Sequence, residues 1–315
     1  MKYVGRVDSR KITMKDGEKV ILHTFYPKKD VTVRGAVQIV HGSAEHGLRY
    51  KNLADFLCKN AYVVYVMDLR GHGITVDDVS RLGYVDWKNC TNQALSDISE
   101  VFRIIDNEWA ENVEIEKYLI GHSYGSFLVQ RWIQLNDTNS LKGIILSGAS
   151  GPQTLKMFFG RMLIALTMFF TGKNRCSQFI RSLMWGSYNK EFNPDNPKGF
   201  DWLTRDTKIV KEYVEDPLSG FDPPNCFAYS LVDLMLHTYK KKNLKKTSNK
   251  LPILYIYGTD DPVGNYGELP GKTLDILNKD HKICTSLIYL KGRHEMFNEL
   301  NREQVYRDML SWMNG

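Results

Sequence analysis

Tyr118-Leu119-Ile120-Gly121-His122-Ser123-Tyr124-Gly125-Ser126-Phe127 is an apolar run that closes in Gly-x-Ser-x-Gly and continues into apolar residues at helical spacing. A strand entering a helix this way puts Ser123 on a sharp turn, where side chains two residues to either side would collide. Gly121 and Gly125 remove that collision. The turn lifts the Ser123 hydroxyl clear of a sheet and sets the Tyr124 amide at a helix N-terminus, where a developing oxyanion can accept from it. A turn that needs small residues for packing alone is the competing reading. The apolar strand before the turn and the apolar helix after it favour the catalytic one.

Working outward, strand-like runs recur at Val20–Phe25, Gly35–Val40, Tyr62–Met67, Lys117–Ile120, Gly143–Leu146, Ile253–Tyr257 and Ile283–Leu290. The later ones read as apolar on both faces, like buried central strands. Between them, Leu48–Asn60, Asn92–Glu111, Tyr124–Leu135, Gly267–Asn278 and Asn298–Met313 carry apolar residues at helical spacing. The alternation predicts an α/β fold, a mostly parallel sheet flanked by helices. It breaks after Ala149 and resumes near residue 247, so 1–149 and 247–315 are expected to form a discontinuous core and 150–246 a helical cap.

A serine hydroxyl needs a base, and the base needs a carboxylate to orient it. In a parallel sheet the site lies beyond the carboxyl ends of the strands, which sorts the eight histidines. His281 precedes its strand, His23 lies within one, and His237 falls in the insertion. His122 adjoins the nucleophile but should point away from it. His294, in Leu290-Lys-Gly-Arg-His-Glu295, follows a strand at the right edge and is the expected base. The acid should follow Ile253–Tyr257, where Asp260 and Asp261 compete. Pro262 biases Asp261 to an extended conformation, which favours it over Asp260.

The order Ser123, Asp261, His294 is that of α/β-hydrolases. With His41-Gly-Ser-Ala-Glu-His46, Arg49-Tyr50, Asp68-Leu-Arg-Gly-His-Gly73, Gly258-Thr-Asp-Asp-Pro-Val263 and Arg293-His-Glu295, the chain resembles the monoglyceride lipase and lysophospholipase branch of that family, which is serine aminopeptidase-like, in its bacterial form. The resemblance implies an α/β-hydrolase fold with Ser123, Asp261 and His294 as catalytic triad. It also implies an oxyanion hole from the Ser43 and Tyr124 backbone amides. His41 and Gly42 are expected to support the oxyanion turn, with His46 and His72 bonding nearby loop backbone. Ser126 stands where a second glycine is common, which touches helix packing and not chemistry.

Composition sets outer bounds. The 315 residues are 43% hydrophobic, with 42 Lys and Arg against 36 Asp and Glu. Six lysines between Tyr239 and Lys250 account for the whole excess, which reads as a solvated linker and gives no basic surface for nucleic acid. The five cysteines are scattered without C-x-x-C spacing, and no ligand set suggests a metal or another cofactor. The first thirty residues hold no apolar stretch of signal-peptide length, so a cytoplasmic protein is expected. The most apolar run, Met162–Phe170, is too short to cross a bilayer.

The expected activity is hydrolysis of a carboxylic ester through an acyl-enzyme, on monoacylglycerols, lysophospholipids or medium-chain esters. Acyl transfer, short-chain ester hydrolysis and a non-catalytic receptor are the alternatives. Serine as nucleophile excludes the aspartate chemistry of haloalkane dehalogenases and epoxide hydrolases. The apolar stretch Met157–Phe170 is either a cap helix packed among its neighbours or a lid that takes an acyl chain or touches a membrane or micelle. Flexible Met157, Met162 and Met168 would suit several chain lengths.

Overall fold

The computed structural model describes residues 5–111, 115–186 and 188–315; residues 1–4 and 112–114 of the expected core, and 187 of the expected cap, lie outside the described residues. Eight strands form one sheet in the order β1-β2-β4-β3-β5-β6-β7-β8. They are β1 (Arg6–Thr13), β2 (Lys19–Tyr26), β3 (Gly35–Val40), β4 (Tyr62–Met67), β5 (Glu116–His122), β6 (Gly143–Ser147), β7 (Ile253–Gly258) and β8 (Cys284–Tyr289). The strands from β4 to β8 in that order pair in parallel, whereas β1 and β2 join antiparallel at one edge.

β3, β4, β6 and β7 are buried along their whole length, which is why they read as unbroken Val, Ile, Leu and Tyr runs. β8 departs from that expectation. It is the far edge strand, paired on one side alone, and Thr285, Ser286 and Ile288 are exposed. β1 was not anticipated. Its sequence, Arg-Val-Asp-Ser-Arg-Lys-Ile-Thr, carries charge at half its positions, as an exposed edge strand can and a central one cannot.

Helices cover both faces. α1 (Lys51–Lys59) and α10 (Arg302–Asn314) bury Leu53, Leu57, Val305 and Met309 against one face. α2 (Cys90–Glu108), α3 (Tyr124–Ile133) and α9 (Glu268–Lys279) bury Ile98, Val101, Leu128 and Leu277 against the other. Between β6 and β7 come α4 (Thr154–Thr171), α5 (Gln178–Trp185), α6 (Thr207–Glu215) and α7 (Asn225–Thr238), with no strand among the described residues there. Phe227, Leu231 and Leu234 of α7 join the core. The lysine run is a short helix, α8 (Lys241–Leu244), and not a free linker. Asn243 and Leu244 are buried while Lys241, Lys242, Lys245 and Lys246 face solvent.

α4 bears on two of the readings above. Among its described residues Ile164 is the one fully buried, packed on Ile180, Ala228 and Val232, so much of the helix stays uncovered by its neighbours. Phe159, Met162, Phe169 and Phe170 are 60, 57, 81 and 75% exposed. The helix is also 18 residues long, and by length and composition alone it is apolar enough to cross a membrane. The reading from Met162 stopped at Arg161, which the helix takes in its stride by pairing it with Asp233 on α7.

Candidate active site

Ser123 sits between β5 and α3 at φ 48 and ψ −118, a backbone state that L-residues rarely adopt. The crowding that enforces glycine around it is measurable. A Cβ at residue 125 would lie 2.0 Å from the Val40 carbonyl oxygen, and one at residue 121 would lie 2.6 Å from the Gly125 carbonyl oxygen. Ser126, fully buried, turns its hydroxyl back to donate to the Ser123 carbonyl at 2.6 Å, so the helix keeps its close approach without a second glycine.

The loops after β7 and β8 meet beside this turn. His294 Nδ1 lies 3.0 Å from both carboxylate oxygens of Asp261, and the two side chains are 2% and 1% exposed. The Val263 amide donates to Asp261 Oδ1 at 2.9 Å and fixes the carboxylate. Asp260 accepts instead from the Thr259 hydroxyl. Burial opposes charge on the His294 ring, but the Asp261 carboxylate, with Glu295 and Glu45, outweighs it and holds the ring above an ordinary histidine. Ser123 and His294 line one cavity, and no hydrogen bond joins them among the described residues. Such bonds commonly tighten only when substrate arrives.

His122 corrects one expectation. Its ring does not point away from the site: it lines the same cavity and packs 4.9 Å from the His294 ring. Neighbours alternate faces only while the chain stays in a strand, and the positive φ at Ser123 breaks the alternation there. Burial then pushes His122 down to about 3, so it stays neutral. Of the other histidines, His46 bonds the Asp216 carboxylate, a side chain and not backbone, at 2.7 Å. His72 bonds the Arg70 carbonyl.

The turn after β3 is built from inside. Burial and neighbouring His72 push His41 down to about 4. The neutral ring donates from Nδ1 to the Gly42 carbonyl at 2.7 Å and accepts the Leu69 amide on Nε2 at 2.9 Å, which together fix its tautomer. The Gly42 amide donates to Glu45 Oε1, and Ala44 turns through φ 52. Among the described residues, neither the Ser43 nor the Tyr124 amide donates to a protein acceptor. Ser43 lines the same cavity as Ser123, and Tyr124 follows Ser123 in the chain.

Sequence reasoning gave no role to two features here. Glu45, Arg49 and Glu295 form one buried ionic cluster, and Trp202, between α5 and α6, stands 5.2 Å from the His294 ring. The backbone of that same segment takes the His294 and Glu295 amides, at 3.4 and 2.7 Å. Arg49-Tyr50 and His294-Glu295 are visible as a motif, but their contact joins positions 246 apart.

About 140 Å³ of the cavity is open to the centre of a water molecule. Beyond Ser123 its wall is mostly apolar, with Ile164, Leu183, Trp185, Leu231 and Val232 beside Met157, Met184 and Met235, and with Ser150, Gln153 and Lys156 as polar members. Of the methionines expected to serve chain length, Met162 faces solvent and Met168 lies off the cavity, because only one side of α4 turns inward. Among the described residues, no group of three His, Cys, Asp or Glu is placed to hold a metal ion.

A family model described as serine aminopeptidase, S33, matches residues 31–301. The chain belongs to this family of α/β-hydrolases. A monoacylglycerol lipase from Mycolicibacterium smegmatis is 23% identical over 94% of this chain and 93% of its own. An uncharacterized abhydrolase domain-containing protein of Dictyostelium discoideum is 22% identical over 95% of this chain, which spans only 28% of that relative's length. In structure, a thermostable carboxyl esterase from Bacillus coagulans, solved with glycerol, superposes with a TM-score of 0.87 at 24% identity, covering 99% of both chains. This α/β-hydrolase thus stands among hydrolases of the lipase and esterase type.

Proposed function

We propose that this α/β-hydrolase is a serine carboxylic ester hydrolase in which Ser123 is nucleophile, His294 base and Asp261 the orienting acid. The reading rests on one observation: a serine on a strained elbow shares a cavity with a histidine whose far nitrogen is held by a buried carboxylate. His294 takes the Ser123 proton as Oγ attacks the ester carbonyl. The oxyanion accepts from the Ser43 and Tyr124 amides, and His294 then protonates the departing alcohol. Water, activated by the same imidazole, releases the acid and restores Ser123.

For the substrate we propose a monoacyl ester of medium or long chain: a monoacylglycerol, a lysophospholipid or a simple ester. Support comes from the apolar wall, since each buried methylene contributes about 0.8 kcal/mol. Across a series of p-nitrophenyl esters, kcat/KM is expected to rise with acyl length from acetate to at least octanoate, by roughly tenfold or more. A maximum at acetate rejects the acyl-binding role of the cavity.

The outer face of α4 suggests where such substrates are met. Residues 138–190 contain no Asp or Glu, and the exposed Lys173 and Arg175 follow the exposed Phe169 and Phe170 closely in the chain. An apolar helix face followed by exposed cations complements an anionic lipid surface. Co-sedimentation with phosphatidylglycerol vesicles is expected to exceed that with phosphatidylcholine, and Phe169→Asp/Phe170→Asp to weaken it about tenfold or more. Equal binding of variant and parent removes this contact.

A further inference from the structure

Arg49 is buried where four parts of the molecule converge. Its guanidinium grips Glu295 through two parallel bonds, Nη1 to Oε1 and Nη2 to Oε2, each 2.7 Å. Nη1 also donates to Glu45 Oε2 at 2.5 Å. Glu45 uses its other oxygen to accept the Gly42 amide and the Tyr50 hydroxyl, so it holds the oxyanion turn closed. Glu295 follows His294 directly and also accepts from Asn298 at 2.9 Å. On its open side the guanidinium lies 4.6 Å over the Tyr213 ring, and the Tyr213 hydroxyl donates to the Ala44 carbonyl. Donors and acceptors within the cluster are matched in a planar geometry that lysine could not reproduce.

We infer that Arg49 is a positioning residue that locks the oxyanion turn to the loop of the base, and that the Glu45–Arg49–Glu295 cluster sets the charge felt by His294. The cluster carries two carboxylates against one guanidinium, so it presents a net negative charge behind the imidazole. Around that ring stand Asp261 from the loop after β7, neutral His122 from β5, uncharged Trp202 from the cap, and the three cluster members. Glu295 and Glu45 stabilise the imidazolium, whereas Arg49 holds the Glu295 carboxyl below the ordinary carboxylate range despite its burial. The inference rests on the proposed role of His294 as base.

The signs are opposite for the two partners, which separates this from a purely structural role. Only the neutral imidazole can take a proton, so activity falls as pH drops through its titration. Glu295→Gln removes a negative charge, keeps the shape, and leaves Arg49 balanced by Glu45. Arg49→Met removes the positive charge. The readout is the rate of fluorophosphonate labelling of Ser123 against pH, which needs no knowledge of substrate, with melting temperature recorded alongside. Glu295→Gln is expected to move the acid limb downward, and Arg49→Met to move it upward, each by about one pH unit. Arg49→Lys should keep the limb near the parent's while slowing labelling, because it preserves charge and loses the two-pronged grip. A limb unmoved in Glu295→Gln, or moved the same way in both charge variants, overturns the inference. Glu295→Gln decides it even if Arg49→Met does not fold. Absence of labelling in the parent protein would strike at the hydrolase reading itself.

Discussion

Ser123→Ala is expected to lower turnover of any accepted ester by about four to six orders of magnitude, because nucleophile, base and acid act as a unit. Fluorophosphonate labelling should vanish with it. The fold should survive, since alanine keeps the Cβ, the Ser123 hydroxyl makes no hydrogen bond to the protein among the described residues, and the elbow is held by backbone. The Ser123 amide donates to the Ser147 carbonyl at 2.9 Å, and the Ser123 carbonyl accepts from Ser126 and Phe127. A melting temperature close to the parent's with activity gone would isolate the chemical contribution. A variant that keeps most of its activity would show that the hydroxyl is not the attacking group. Comparison of the lipids consumed by parent and variant then reads out the natural acyl ester directly.

The core of the fold was legible because burial on both faces of a parallel sheet leaves little freedom in composition. β3, β4, β6 and β7 could hardly be anything else. β1 was illegible for the same reason inverted: an edge strand is held by pairing with β2 and not by its side chains, so charges mask its period. Around the site, local geometry was readable and long-range contact was not. Gly121 and Gly125 announce a steric need within five residues of chain. The grip of Arg49 on Glu295 spans most of the sequence and is settled only when β3 and β8 are laid in one sheet. The direction of His122 failed differently. A rule for regular strands was carried one residue past the point where the strand ends.

α4 shows a limit of another kind. Its apolar residues surround the helix almost evenly, so periodicity cannot say which side is covered. The structure divides them: Met157 and Ile164 face the cavity and α7, Phe169 and Phe170 face outward. A helix apolar on both sides costs solubility unless both sides have apolar company. An acyl chain within and a lipid surface without would supply it, and the two proposals made for this helix therefore support each other.

Asp261→Asn should cost about three to four orders of magnitude in kcat, against less than about threefold for Asp260→Asn. The reason lies in how the carboxylate is held. Oδ1 accepts the Val263 amide, so an asparagine at 261 would keep its carbonyl oxygen there and present its NH₂ group at the Oδ2 position, 3.0 Å from His294 Nδ1. That group donates, which favours Nδ1 as acceptor and the ring proton on Nε2, the nitrogen that has to take the Ser123 proton. The variant would be folded and correctly shaped, with its base in the wrong tautomer. Loss of the charge also removes the main support for the imidazolium, so the residual activity should persist to lower pH than in the parent. Among the described residues the Asp260 carboxylate bonds only the neighbouring Thr259 hydroxyl and takes no part in this tautomer choice. If Asp260→Asn proved the more damaging of the two, the acid would have to be reassigned, and the loop after β7 would have to rearrange on substrate binding to bring it to His294.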